Sequence, residues 1–394
     1  MIPYEHPRNW TKYSREAIAD RLTEAKAAIL SLKSIPYQKE WVEALQRIEL
    51  KREVAGTSRI EGAEFTEKEL EAALKETPEQ LVTRSQRQAH AAMKTYKWIA
   101  GLPKDRPIDE GLIKEIHRHI ITGADDDHCP PGRLRERGQN VNFGRPRHRG
   151  AEGGEQCASA FSRLCVAIQR EFRDHDGIVQ ALMAHYHFAS MHPFEDGNGR
   201  TARVLEALML GREGLRDTCF VAMSNYYYDE KNAYLAALSE TRALGHDLTP
   251  FLNFSLHGVA VQSKRLLSEI QKQIERALFR NMMFDLFQRL RTPKKRVLAK
   301  RQIEILKTLL TLEEIEWRQL VDSAISRYGA MKNPVKALVR DVNGLIMLGA
   351  LNYRMDEDKR YLSANLKWPT QITETDFFKR IKEMPKSKSH AFLG

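Results

Sequence analysis

The stretch His192-Pro193-Phe194-Glu195-Asp196-Gly197-Asn198-Gly199-Arg200-Thr201-Ala202-Arg203 lies between two strongly helical segments, one ending near Met191 and one running from about Thr201 through Leu210. A Gly-Asn-Gly turn leading into a helix leaves backbone N–H groups pointing outward without intrahelical partners, and the helix dipole adds to their pull on an anion. Gly197 and Gly199 let a phosphate approach the backbone closely. Arg200 and Arg203, three apart on the new helix, share a face and can clamp phosphate oxygens. Asp196 is a suitable oxygen ligand for the Mg²⁺ that accompanies ATP. His192, at the other end of the turn, can accept a hydroxyl proton as a general base. Taken singly, each has a bland reading: a structural helix-end His, a glycine C-cap, a solvated Arg pair. In this order and company they read as a nucleotide-binding site with a base beside it.

Outward from this stretch the chain reads as helices. Ser14 to Leu32 places Ile18, Leu22, Ala25, Ile29 and Leu32 at helical spacing, and Trp41 to Val54 repeats the pattern with Trp41, Leu45 and Ile48. Thr66 is an N-cap signal for a helix through Leu74, and Arg84–Ile99 and Asp109–Ile121 are amphipathic. Between Thr122 and Glu155 Gly, Pro and Arg dominate, with a short extended piece at Asn140–Phe143, a length that points to a functional loop. Helical periodicity resumes over Cys157–Phe172, over Asp176–Met191 with Asp176 as N-cap, and over Tyr234–Glu275. The basic segment Thr292-Pro293-Lys294-Lys295-Arg296 marks a boundary.

The motif fits the Fic-family pattern His-x-Phe-x-(Asp/Glu)-Gly-Asn-Gly-Arg-x-x-Arg without departure. The resemblance implies that His192 activates the target hydroxyl, Asp196 holds the metal, Gly197, Asn198 and Gly199 line the anion hole, and Arg200 and Arg203 bind the polyphosphate. Phe194 is then a core anchor. A second stretch, Thr57-Ser58-Arg59-Ile60-Glu61-Gly62, resembles the family's inhibitory signature (Ser/Thr)-x-x-x-Glu-(Gly/Asn). There Glu61 is expected to pair with Arg203 and deny that guanidinium to the γ-phosphate. The loop with Gly132-Arg133-Leu134-Arg135 and then Gln139-Asn140-Val141-Asn142-Phe143 looks like the family's flap, a β-hairpin that holds the target by main-chain pairing. Its arginines (Arg145, Arg147, Arg149) read equally as a preference for an acidic target or as a solvated basic loop. Asn232 and Tyr234 resemble the segment that closes over adenine, with Leu235 where a second tyrosine is common. Aromatics at such spacing are also ordinary core. Asp125-Asp126-Asp127-His128 can be read as a metal site, but an exposed acidic loop is the better reading.

After Arg296 three helices (Gln302–Leu310, Trp317–Ser326, Pro334–Leu348) precede a hairpin, Ala350–Arg354 and Arg360–Leu362, a layout that resembles a winged helix. Lys332, Lys336 and Arg340 on its third helix and the lead-in to it can meet DNA phosphates, and protein interaction is the other use of such a module. The chain is 394 residues long, 42% hydrophobic and 29% charged, so two or three soluble units are expected. Its net charge is +11, with 27 of 63 basic but only 15 of 52 acidic side chains from Lys264 onward, so the whole basic excess lies in the last third. No membrane span or signal peptide is read, and Cys129, Cys157, Cys165 and Cys219 follow no metal or redox spacing.

The expected protein is mainly α: an N-terminal helical region (1–100), a Fic-type core with a short hairpin flap (101–262), a helical linker (263–295) and a winged-helix α+β domain (296–394). Expected is a cytoplasmic protein adenylyltransferase. It uses ATP and Mg²⁺ to move AMP onto a Ser, Thr or Tyr hydroxyl of a target protein or of itself, and Glu61 restrains it. Two alternatives stand beside it: a DNA-binding regulator with a nucleotide-sensing core, and an enzyme that removes AMP. DNA and a second copy of the chain are the further partners left open.

Overall fold

The computed structural model describes the chain except residues 36–38, 76–79, 145, 216–220, 291–292 and 384–394, and except the side chains at 39–42, 214–215 and 293–298. Trp41, Arg145, Cys219 and most of the basic segment after 291 therefore lie outside the described side chains. The chain forms two compact units, Met1–Ser268 and Glu269–Gly394, each with its own apolar core.

The first unit is built of helices whose starts follow from capping chemistry. Helix α1 (Arg15–Ser34) opens on Ser14, whose side chain accepts from the Ala17 N–H. After α2 (Lys39–Ile60), Thr66 and Glu69 cap α3 (Glu67–Lys75) reciprocally. Thr83 and Gln86 do the same for α4 (Arg84–Gly101), and Asp109 caps α5 (Glu110–Ile121). A two-stranded hairpin follows, β1 (Asn142–Phe143) antiparallel to β2 (His148–Arg149). Then come α6 (Glu155–Gln169), α7 (Gly177–Met191) capped by Asp176, and α8 (Asn198–Leu210). Helix α7 is buried from Ile178 to Met191 on all but one side chain, so it is the central rod against which α6 and α8 lie. Two shorter helices, α9 (Met223–Asp229) and α10 (Lys231–Ala243), precede the long α11 (Thr249–Gln288).

Two expectations need correction. The helix expected over Tyr234–Glu275 is two helices, because Gly245 (φ 65°) and His246 (φ 62°) are both left-handed and end α10. His246 is held there by the Tyr186 hydroxyl (2.9 Å) and the Glu5 carbonyl (2.9 Å), contacts that local sequence does not announce. Helix α8 starts three residues before Thr201, because Gly197 (φ 70°) makes the whole turn in one residue.

The second unit contains α12 (Pro293–Thr311), β3 (Ile315–Glu316), α13 (Trp317–Ala324), α14 (Pro334–Met347), β4 (Leu351–Asp356) and β5 (Lys359–Ala364). The strands form one antiparallel sheet in the order β3-β5-β4. Two short helices, α15 (Trp368–Gln371) and α16 (Glu374–Glu383), close its core with Trp368 and Phe377. No helix among the described residues is long and apolar enough to cross a membrane.

Candidate active site

Helix α7 ends by placing His192 in the left-handed region (φ 52°, ψ 64°), a conformation that costs a non-glycine residue about 1 kcal/mol. Two bonds hold it: its N–H reaches the Phe188 carbonyl (3.1 Å), and its ring Nδ1 meets the Ala189 carbonyl. A carbonyl only accepts, so Nδ1 carries the ring proton and Nε2 is left with a free lone pair. Burial lowers the imidazole pKa to about 4, with Arg135 and Arg242 adding to the shift and the Ala189 carbonyl and Glu61 opposing it. His192 is thus neutral at physiological pH, in the tautomer a general base requires. Phe143 of β1 lies flat on the ring, centroids 3.6 Å apart and planes within 5°.

The loop beyond His192 is built to keep the N-terminus of α8 open. Phe194 is fully buried and stacked on His117 of α5 at 3.6 Å. The Asn198 side chain bonds both the N–H and the carbonyl of Phe194, each at 2.9 Å, so Asn198 can offer an anion only its backbone. Gly197 has no room for a side chain, since a Cβ would lie 2.7 Å from Ile121 Cδ1. No side chain caps α8, which leaves its first N–H groups to an incoming anion. Asp196 heads this turn with its side chain 42% exposed, and its carbonyl accepts from His117 Nε2 (3.0 Å). One half-exposed carboxylate suits an Mg²⁺ ion that draws most of its oxygens from phosphate and water, so the residues fit the expected metal. Among the described residues no three His, Cys, Asp or Glu side chains converge into a metal cage.

The two arginines of the motif are both buried, with side chains 2% exposed, and each meets a carboxylate. Arg200 Nη1 donates to Asp125 (2.6 Å), while its Nε has no partner, an orphaned donor that a phosphate oxygen would satisfy. Asp125 is completely buried and also accepts from Arg84 Nε (2.6 Å) and Gln88 Nε2 (3.0 Å). Burial alone would raise its pKa, but Arg200 and the donors around it outweigh that and hold it below the ordinary value. The expected exposed acidic loop is therefore corrected at its first residue: Asp126, Asp127 and His128 are exposed, but Asp125 anchors Arg200.

Arg203 donates from Nε to Thr57 Oγ1 (2.9 Å) and from Nη2 to the Thr57 carbonyl (3.1 Å) and Glu61 Oε1 (2.6 Å). The sequence Glu61-Gly62 makes this geometry. Gly62 adopts φ 92°, its N–H reaches the Arg59 carbonyl (3.0 Å), and the Ala63 N–H reaches the Ser58 carbonyl (3.1 Å). That pair of bonds is a Schellman ending with Glu61 as its C-cap, so Glu61 stands just past Ile60, the last residue of α2. A carboxylate is unfavourable at a helix C-terminus, and Arg203 compensates it. Burial would raise the Glu61 pKa, yet Arg203 and Arg200 together lower it, so the carboxylate is charged. Gly199 gives the pair space, for a Cβ there would stand 2.3 Å from Glu61 Oε1.

Helix α2 is itself tied down. Glu53 accepts from Tyr96 (2.8 Å) on α4 and from the Ser224 N–H (2.8 Å) on α9. Gly56 lies so close to α9 that a Cβ would be 2.5 Å from its backbone, and Lys231 caps the Ile60 carbonyl (2.8 Å).

Tyr234 is not an open platform for adenine. Its ring is 3% exposed, stacked on Tyr227 at 4.6 Å, with its hydroxyl 2.9 Å from His185 Nε2. Asn232 lies exposed in the first turn of α10. Of the flap residues, Val141 and Phe143 are half-buried and Asn142 is exposed. The outer edge of β2 is occupied by Ile2, which exchanges bonds with Arg147 and Arg149 (2.9 Å each). Arg149 faces that edge, so its rung partner Asn142 turns its N–H and carbonyl to the opposite edge, where a further strand can pair. Sequence reasoning missed Arg84 and His117, and placed Arg135 in the flap-like loop without a role. Arg135 is a buried guanidinium that donates to the carbonyls of His192 (2.8 Å), Gln139 (2.6 Å) and Ala151, tying the segment before the hairpin to the loop that begins at His192.

Residues 107–210 match the Fic/DOC family. Over 75 residues, 19% of its length, the chain is 39% identical to the protein adenylyltransferase Fic of Aedes aegypti, and to the same degree to that of Culex quinquefasciatus. The aligned stretch makes up 13% of each of these curated relatives. Among solved structures, a Fic family protein from Desulfovibrio desulfuricans has TM-score 0.58 at 17% identity, covering 92% of this chain and 99% of that one. A Fic domain containing signaling protein from Bacteroides thetaiotaomicron gives 0.54 at 21%, covering 63% and 97%. The Fic-1 protein of C. elegans gives 0.53 at 20%, covering 65% and 74%. At these identities the likeness is one of fold.

Proposed function

We propose, for a chain whose residues 107–210 form a Fic domain, that it is an autoinhibited protein adenylyltransferase. The observation that carries this reading is the neutral His192 at one end of an uncapped helix N-terminus whose second arginine is held by Glu61. ATP binds with its phosphates on the open N–H groups of α8, against Arg200 and Arg203, and Asp196 holds the accompanying Mg²⁺, which neutralises polyphosphate charge. Gly197, Asn198 and Gly199 serve through their backbone, and exposed Asn232 is available to the nucleoside end. A Ser, Thr or Tyr hydroxyl of the target gives its proton to His192 Nε2. Its oxygen then bonds to the α-phosphorus while the bond to the α,β-bridging oxygen breaks, and pyrophosphate leaves. Catalysis is chiefly positioning and charge neutralisation.

Glu61 blocks this by holding Arg203 and by repelling the γ-phosphate, which leaves the α-phosphate out of line. The test is AMP transfer from labelled ATP with Mg²⁺, read by intact mass, for wild type, Glu61→Gly and Glu61→Gly/His192→Ala. Strong labelling of Glu61→Gly alone is expected. No labelling of the protein itself or of a lysate by any form sinks the reading, and release of AMP from a labelled protein by wild type would favour the reverse reaction.

A second reading concerns the second unit. Its order of helix, strand, two helices and hairpin supports a winged helix, and Lys332, Lys336 and Arg340 lie exposed at and along α14. DNA affinity that falls with salt and drops on charge reversal at Lys336 supports a DNA-binding role, and salt-independent or absent binding rejects it.

A further inference from the structure

Beneath the flap lies a recess that the phosphate chemistry does not use. Phe143 and His148 of the hairpin, Ser190 of α7, and Leu235, Leu238 and Arg242 of α10 wall it, and it holds about 380 Å³ of free space, mouth included. Phe143 is the shared wall: it lies on the His192 ring and also lines the recess. The recess thus begins beside the base.

Arg242 is only 7% exposed, and its recorded bonds all run to main-chain carbonyls: Ser190 (3.4 Å), Ile2 (3.4 Å) and Arg149 (2.5 Å). Its guanidinium also sits over the rings of Tyr4 and Phe143. Arg200 and Arg203 are as deeply buried, but each has a carboxylate, whereas no described carboxylate forms an ion pair with Arg242. Its Nε is enclosed without a partner, and so is Nδ1 of His148, a residue 5% exposed. In the tautomer whose Nε2 accepts from Ser239 Oγ (3.1 Å), His148 carries its ring proton on Nδ1, ready for another acceptor. A buried cation without a counter-charge, beside a buried donor without an acceptor, is costly unless something completes the set. A carboxylate meets both needs. The apolar walls suit the methylene stem that carries it, and they strengthen the charge pair by excluding water.

We propose that this recess receives an Asp or Glu side chain of the target protein, close in sequence to the hydroxyl that is modified. The inference rests on the AMP-transfer reading above. A target strand paired to the open edge of β1 at Asn142 runs past Phe143, and its alternate side chains turn toward the recess. Arg147 and Arg149 beside it draw the same sign of charge.

The test is a binding experiment on the full chain without nucleotide. Short blocked peptides with a central Thr carry Glu or Gln in turn at each position within about three residues of it. They are titrated by ligand-observed NMR, with sodium glutarate as the free-carboxylate arm. At one position Glu should bind about tenfold more tightly than Gln, and glutarate about tenfold more weakly than that Glu peptide. Arg242→Gln should abolish the preference. Because Arg242 also holds the Arg149 and Ile2 main chain, Leu238→Phe is the second arm: it fills the recess, leaves the guanidinium in place, and should level Glu and Gln. Equal binding of Glu and Gln at every position overturns the inference. So does a preference that survives Leu238→Phe, or glutarate binding as tightly as the peptide. Since no AMP transfer is read, failure here is separate from failure of the labelling assay.

Discussion

Arg200 and Arg203 stand three residues apart on α8, equally buried, each against a carboxylate, yet the two regions that supply those carboxylates are built differently. The Asp125 corner is closed. Its carboxylate is fully buried and takes donors from Arg84, Gln88 and Arg200, so it cannot leave without breaking bonds to three side chains at once. The Glu61 corner is open on one side: the side chain is 33% exposed, has one charged partner and hangs from the end of a helix. The difference teaches that burying a motif's arginines does not decide whether a site is active. In the proposed function, what matters is which carboxylate can turn away. Because Glu53, Gly56 and Lys231 tie α2 to α4, α9 and α10, release through rotation of the Glu61 side chain costs less than departure of the helix.

The comparison breaks first at Asp125. Asp125→Ala removes the close, buried partner of Arg200, leaves it only the half-exposed Asp196 at 3.6 Å, and should lower stability by about 3 kcal/mol, read from urea unfolding. A loss under about 1 kcal/mol would mean that this corner is no more fixed than the other.

Next comes pH. With its value lowered to about 4, His192 is neutral above that and would lose the base role proposed for it only as pH falls through it. Labelling by Glu61→Gly should stay flat between about pH 5 and 7, where an unshifted histidine would lose most of its activity at the acidic end. Glu61 itself raises the His192 value, so its removal moves the limb lower still. An acidic limb near 6.5 would place His192 in a far wetter setting.

A smaller effect tests the tether on α2. Burial raises the Glu53 pKa to about 7, partly offset by bonds from Ser224 and Tyr96. The folded state therefore binds a proton that the unfolded state has released between about pH 4.5 and 7. Stability contributed by this group is present below that window and is lost as pH rises through it, and Glu53→Gln should flatten that slope by a few kcal/mol. An unchanged slope in Glu53→Gln would remove the carboxyl from this role.

Thr57→Val is the mildest change. It removes one bond to Arg203 but leaves Glu61 in place, so a loss of about 1 kcal/mol with no release of labelling is expected. Labelling at the Glu61→Gly level would make Thr57, rather than Glu61, the decisive partner.

How far the sequence could be read follows the same division. His192 to Arg203 is contiguous, so the proposed base, cation ligand and phosphate turn could be read together, and the N-caps read at Thr66 and Asp176 do cap their helices, while those at Ser14 and Asp109 went unread. Asp125 is 75 residues from Arg200, and Arg84, His117 and Arg135 reach the loop only through packing, which no local pattern encodes. Tyr234 shows the limit from the other side, because an aromatic on a buried helix face and one on an open platform share the same spacing. Strand β3, two residues long, is too short to carry any period.

The most direct measurement compares AMP labelling of Glu61→Gly, Asp125→Asn and the double variant at matched folded concentration. The expected result is labelling about 100-fold above wild type for Glu61→Gly, none above wild type for Asp125→Asn, and loss of the gain in the double variant. Asp125→Asn labelling as strongly as Glu61→Gly, or a double variant that keeps the full rate, would contradict the division between a fixed and a removable carboxylate.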